Sequence, residues 1–355
     1  MLGKLFDEIG FNQIKDPWFR LLVIHRLCFG VSKLKTTEYL YRYHQIEVDE
    51  DTLYRYLDKL YSTQKALVQQ ISYQHTLKIL GNKIAIVFYD VTTLYFEIDH
   101  EDDLRKTGFS KDGKHQHPQI VLGLLVSMDG YPLAYEIFEG NKFEGHTMLP
   151  VIKAFEKKYG LGKLVIIADA GLLSKDNVHS LEQDNYQYIL GARIKNESPH
   201  IRNQILALKL ANGQSQGIPI GKNTKLIISY SQSRAIKDAD NRQKGIKRLR
   251  KMIQAGRLTK SSLNKRGYNK FLKLDGKITV TLNEDKISQN GLWDGLKGYQ
   301  TNTRLTNAEI IDNYRELWKI EKAFRVAKND LKIRPIYHRL PRRIEAHFCI
   351  ALVAD

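Results

Sequence analysis

Apolar residues recur at helical spacing through the first 80 or so positions, then gather from Lys83 onward into short continuous runs. Asp16-Pro17 opens a helix whose apolar face is Trp18, Leu21, Leu22, Ile24 and Leu27. SKLKTTEYLYRYH and VDEDTLYRYLDKLYSTQKALVQQI predict two more helices, broken near His44 to Val48, with Asp49 or Asp51 capping the second. A short break, with Arg55 and Lys59 on the second helix, suits a helix-turn-helix that enters a DNA groove. An ordinary three-helix bundle fits equally well, with Tyr39, Tyr41, Tyr43, Tyr54, Tyr56 and Tyr61 in its core and interfaces.

The run IAIVFYD is too continuously apolar for a surface strand, so it predicts a strand covered on both faces that delivers Asp90 at its polar end. Strands over Gln119 to Ser127 and Pro132 to Phe138 follow, joined at Asp129-Gly130 by a hairpin turn. A helix from about His146 to Tyr159 leads to a second buried strand, KLVIIA, which delivers Asp169. Ser174 caps a further helix, and Tyr186 to Ala192 is another strand. A hairpin followed by alternating helix and strand predicts an α/β fold with a mixed sheet. Neither βα turn has the glycine pattern of a dinucleotide site, and no Walker A sequence is present. His115 and His117 are metal-like in type but lack further ligands at zinc spacing, so a solvated loop is the better reading.

Charge changes the picture most in the region after Arg193. The whole chain carries 56 Lys and Arg against 39 Asp and Glu, a net +17, which points to a polyanion partner. Residues 237–273 hold thirteen of those cations against only Asp238 and Asp240, a run too one-signed for salt-bridge lacing. Lys247, Arg248, Arg250 and Lys251 are its densest part, and phosphate contact is the favoured reading. No apolar run approaches the roughly 20 residues of a membrane span, and the start, MLGKLFDEIGF, is no signal peptide. Cys28 and Cys349 make neither a disulfide framework nor a zinc set. A cytoplasmic protein is expected.

Thr306 to Lys328 reads as one helix opened by a capping box between Thr306 and Glu309. Ile310, Ile311, Tyr314, Leu317, Trp318, Phe324 and Val326 form its buried stripe. Tyr314, Glu321 and Lys328 stand seven residues apart on the stripe's margin, with Arg325 one turn beyond Glu321. Two strand-borne aspartates and a late glutamate make an oxygen-only set that suits Mg²⁺ or Mn²⁺, and two such ions support in-line displacement at phosphorus. The chain stops inside an apolar helical pattern, so a truncated C-terminus is expected.

These residues resemble the DDE transposases of bacterial insertion sequences, in the superfamily named after insertion sequence four. The resemblance rests on YDVTTLYFE (89–97), GFSKDGKHQHPQIVLGLLV (108–126), FEGNKFEGHT (138–147), IIADAGLLS (166–174), YILGARIKN (188–196) and YRELWKIEKAFRVAKNDLKIRPIYH (314–338). It implies a ribonuclease-H-like core interrupted by a β-rich insertion before the catalytic glutamate. The expected layout is a helical region over 1–80, the core over 81–192, the insertion over 193–302 and the core's final part over 303–355. It implies that Asp90, Asp169 and Glu321 are the catalytic, metal-binding triad. It also puts Tyr314 and Lys328 on the family's Tyr-x2-Arg-x3-Glu-x6-Lys signature; Leu317 stands where that signature has Arg, and Arg315 or Arg325 would substitute. The implied activity is metal-dependent cleavage at transposon ends and strand transfer into target DNA by a homodimer on paired ends. Trp293 is a candidate for stacking on an unpaired base. A nuclease that cuts without joining, and an inactive DNA-binding remnant, are the competing functions.

Overall fold

The computed structural model describes residues 1–110, 113, 116–258, 262–264, 267–275 and 279–354. Lys111, Asp112, Lys114 and His115 of the GFSKDGKHQHP segment, Lys260, Lys265 and Arg266 of the basic stretch, and Lys277 and Ile278 lie outside the described residues. The chain divides into two units: Met1–Leu190 with Asp312–Asp355, and Gly191–Ile311.

The first unit begins with helices α1 (Leu2–Ile9), α2 (Pro17–Cys28), α3 (Lys33–His44), α4 (Glu50–Lys59) and α5 (Lys65–Ile79). Their starts follow local chemistry. Asp16 accepts the Trp18 amide with Pro17 at the first helical position, Ser32 accepts the Lys35 amide, and Asp49 accepts the Thr52 amide. Phe19, Leu40, Leu53, Leu57, Leu60 and Val68 are fully buried in the bundle these helices form. Lys59 is exposed, as expected, and its ammonium also pairs with Asp16 at 2.8 Å. Of the tyrosines, Tyr56 is core whereas Tyr41, Tyr43 and Tyr61 are exposed.

Five strands follow: β1 (Ile86–Tyr95), β2 (Gln119–Ser127), β3 (Pro132–Glu139), β4 (Val165–Ala168) and β5 (Gln187–Ala192), with α6 (Met148–Tyr159) and α7 (Lys175–Gln183) as crossovers. In the sheet they lie in the order β3-β2-β1-β4-β5. The β1–β2 and β2–β3 pairs are antiparallel, and β1–β4 and β4–β5 are parallel. An antiparallel meander continued by two parallel strands is the order of the ribonuclease-H-like fold expected from the sequence. Val87, Tyr89, Val91, Ile166 and Ala168 point into one core with Met148, Ile152 and Phe155 of α6 and Leu181 of α7. Tyr89 fixes this face: a side chain at Gly123 would collide with its hydroxyl, so the neighbouring strand carries glycine there.

The second unit holds α8 (Pro199–Ala207), β6 (Ser215–Pro219), β7 (Lys225–Tyr230), α9 (Gln232–Gln254), β8 (Leu272–Asp275), β9 (Thr279–Leu282), α10 (Glu284–Gly291) and β10 (Leu296–Thr301). Within it, β7 lies between β6 and β10, and β8 pairs with β9 as a separate hairpin. The expected basic arm is α9. It rests on Gly245, Ile246 and Leu249 and leaves Lys247, Arg248, Arg250 and Lys251 exposed.

The expected single helix over Thr306–Lys328 is divided. It comprises α11 (Asn307–Arg315), α12 (Trp318–Arg325) and a wider turn over Val326–Asp330. The capping box forms as expected, with Glu309 and Thr306 bonded reciprocally. Tightened i to i+3 bonds from Glu316, Leu317 and Lys319 to Asn313, Tyr314 and Glu316 make the break. Trp318, expected in the buried stripe, is 50% exposed, and the fully buried Ile320 takes that role. The tightened turn between the two helices rotates the stripe, which no fixed 3.6-residue period could foresee. The last helix, α13 (Pro341–Ala354), packs against α2, α4 and α5. Its Ala346, Cys349, Ile350 and Ala354 join the N-terminal bundle's core, so the two ends of the chain build one cluster. Among the described residues no helix is long and apolar enough to cross a membrane.

Candidate active site

The site is built on the register between β1 and β4. Tyr89 pairs with Ala168, and both face the α6 core. Side chains alternate along a strand, so Asp90, the next residue on β1, turns to the opposite face, and Asp169 is the first residue after β4. They follow paired residues of neighbouring parallel strands, whose spacing is about 4.8 Å. The expectation that Asp90 ends its strand needs correction. Val91 to Tyr95 are mostly β-branched or aromatic and continue the β2 ladder as far as Tyr95 opposite Gln119. Only the ladder toward β4 stops before Asp90, its last pair being Tyr89 with Ala168.

Asp90 is half-buried and accepts the Val91 amide at 2.8 Å. Asp169 is exposed, and the Tyr314 hydroxyl donates to its Oδ1 at 3.0 Å. Tyr314 was expected among the DNA contacts. It is only 5% exposed, and its phenol orders Asp169 from the end of α11. Thr92 lies two positions beyond Asp90 and therefore on the same face. The Lys328 ammonium donates to Thr92 Oγ1 at 2.5 Å, which brings a cation to the carboxylate face. Thr92 was not foreseen as part of the site; its position two residues after Asp90 in YDVTTLYF was the available signal.

Glu321 stands exposed on α12, which packs against β1 through a side that buries Ile320, Ala323 and Phe324. Lys319, two residues earlier, ties the start of α12 to the Met128 carbonyl at the β2–β3 hairpin. Among the described residues no three of His, Cys, Asp and Glu are grouped closely enough to hold a metal ion. The register thus has the two aspartates follow one strand pair, Tyr89 with Ala168, and among the described residues they form no group of three with Glu321. Like charges oppose such a cluster unless a cation neutralises it. The donor set itself, oxygen-only and carboxylate-rich, fits a hard divalent ion. Arg325 is exposed one turn past Glu321, and Leu317 is core at 7% exposure. His117 is described and joins no metal group.

In the second unit Trp293 is half-buried against the Ile194, Ile205 and Leu226 cluster. It also lines a groove of about 510 Å³ with Lys195, Arg202, Lys270 and Lys286. Burial, then the nearby Lys270, lowers the Lys195 ammonium below the ordinary lysine value.

The family model described as "Transposase DDE domain" matches residues 81–354. No curated protein matches the chain. Among solved structures, the chain is similar to a piggyBac transposase synaptic complex with hairpin DNA, determined by cryo-electron microscopy. That alignment has 10% identity and a TM-score of 0.46, and covers 95% of this chain and 72% of the other. The family match contains both aspartates, Tyr314, Glu321 and Lys328, and on its extent the chain belongs to the transposase DDE domain family.

Proposed function

We propose that the protein cleaves DNA at the ends of a bacterial insertion sequence and transfers the freed 3′-OH into target DNA. What supports this reading is the β1–β4 register, in which Asp90 and Asp169 each follow the last pair, Tyr89 with Ala168. Mg²⁺ or Mn²⁺, in one or two ions held by Asp90, Asp169 and Glu321, would polarise the phosphodiester and lower the pKa of the attacking oxygen's proton. Tyr314 keeps Asp169 in one orientation. Lys328, steadied by Thr92, is available to offset phosphate charge at the same face. Cleavage and joining use one site in this reading, so a homodimer on paired ends is the natural assembly. The working compartment is the cytoplasm, at the nucleoid.

Incubation with end-labelled duplexes carrying the element's terminal repeats, in Mg²⁺ or Mn²⁺, tests the reading. A cut product with a free 3′-OH, followed by joined product when target DNA is added, is expected. Cleavage without joining would favour a nuclease. DNA binding without either product would favour an inactive remnant.

Helix α9 supplies the sequence-independent grip in this proposal. Neutralising Lys247, Arg248, Arg250 and Lys251 is expected to weaken binding to any duplex. The slope of log K against log salt should fall by roughly 0.9 for each phosphate that the variant no longer neutralises. Arg250 should contribute least, because Glu284 already faces it at 3.8 Å. Filter binding over a salt series checks this, and a sequence-selective loss at constant slope would assign α9 to base reading.

A further inference from the structure

A second cationic site lies in the first unit, where the N-terminal helices meet the segment before α13. Arg26, Lys33, Lys332, Arg334, His338 and His347 line a cavity of about 620 Å³ there. Arg26 and Lys33 are each 5% exposed, which is rare for residues of their type. Arg26 donates to the Leu331 and Lys332 carbonyls at 3.2 and 3.4 Å. Its charge is therefore held by neutral acceptors. Lys33 has no acceptor and no carboxylate for its ammonium among the described residues. His347 donates its Nε2–H to the Ile333 carbonyl at 3.0 Å, while its buried Nδ1 has no partner.

The walls are fixed in place. A side chain at Gly30 would press on the Leu331 carbonyl and the Lys332 side chain at 3.0 and 2.9 Å, so the two segments run in direct contact. Ser32 caps α3 at the cavity, which adds the partial positive charge of a helix N-terminus. Burial, then Arg26, drives the Lys33 ammonium well below its ordinary pKa. Burial, then Lys33, Arg26 and Arg343, lowers His338 to about 3. Asp51 and Asp58 act on Arg343, and Glu38 pairs with Lys35. Arg26 and Lys33 are buried with no carboxylate partner among the described residues, and a bound anion would supply the missing counter-charge.

We propose that this pocket binds a phosphate group, and that in the working protein the group is a backbone phosphate of DNA held away from the carboxylate face. An ion with several acceptor oxygens satisfies the Lys33 ammonium, the helix terminus and the surrounding cations together. The DNA assignment rests on the proposed transposition chemistry, whereas the phosphate pocket does not.

Thermal unfolding of the full chain in inorganic phosphate, against chloride at equal ionic strength, tests the pocket. Phosphate at ten times its Kd is expected to raise the melting temperature by roughly 3–6 °C. Lys33→Met should melt higher than the parent in chloride, because it removes a buried like charge, and should lose the phosphate shift. Lys33→Arg should keep the shift. Lys332→Gln, at an exposed position, should weaken phosphate several-fold without changing the melting temperature in chloride, and it serves if Lys33→Met fails to fold. Phosphate no more effective than chloride, or a shift retained in both Lys33→Met and Lys332→Gln, would overturn the pocket. Duplex binding over a salt series then identifies the source. A slope smaller by about 0.9 in the Lys33 variant places a DNA phosphate there. An unchanged slope with the phosphate shift abolished places a free phosphate in the pocket and overturns the DNA assignment.

Discussion

Asp169→Asn is expected to reduce DNA cleavage by at least about 10³-fold while duplex binding holds or strengthens. The charge is removed but the shape is kept. An asparagine Oδ1 still accepts from the Tyr314 hydroxyl, which reaches the carboxylate at 3.0 Å, so the end of α11 stays anchored. Asp169 is exposed, and its replacement opens no cavity in the core behind it. What disappears is an anionic oxygen of the proposed metal set. A bound divalent ion stabilises developing charge by several kcal/mol, and each 1.36 kcal/mol is tenfold in rate. Removing a negative group from a face that must accept phosphate also lowers repulsion, so binding should not fall. Single-turnover cleavage of a labelled end, with binding measured in parallel, checks both halves. Cleavage within tenfold of the parent would remove Asp169 from the metal-binding role.

The two aspartates were legible in the sequence because continuous apolar strands announce burial on both faces, and an acidic residue after such a run stands out. That they follow one strand pair was not legible. It depends on the register Tyr89 with Ala168, which joins residues 79 positions apart and is set by packing against α6 and α7. The mixed sheet followed from the hairpin turn and the βα alternation. The interruption after Arg315 did not, because an amphipathic stripe constrains which residues face inward but leaves a tightened turn invisible. The partners of individual cations were equally hidden: Lys59 pairs with Asp16, and Lys328 reaches Thr92 from 236 residues away. The phosphate pocket illustrates the same limit. Arg26, Lys33 and His338 are ordinary as single residues, and only the fold that joins both ends of the chain makes them one charged cavity.

Leu317→Arg is expected to destabilise the first unit by about 3–5 kcal/mol, because the position has no room for an unpaired guanidinium in apolar surroundings. Leu317 is 7% exposed and sits at the tightened turn between α11 and α12, where its amide bonds to the Tyr314 carbonyl. Disturbing that turn would move Tyr314, and with it the orientation of Asp169, together with Glu321 one turn farther on. A fall in melting temperature of roughly 6–20 °C is expected, with cleavage abolished in the folded fraction too. Leu317→Met conserves volume and should cost under about 1.5 kcal/mol with cleavage retained. The cation that the family signature carries at this position must then come from elsewhere on the same stretch. Arg315 is paired with Asp312 at 2.9 Å, whereas Arg325 is exposed one turn past Glu321 with no ion pair among the described residues. Arg325→Gln should therefore slow cleavage about tenfold at unchanged melting temperature, the cost of one charge-assisted phosphate contact. Should Leu317→Arg instead melt like the parent and cleave faster, the side chain has reached the phosphate, and position 317 belongs to the site rather than to the core.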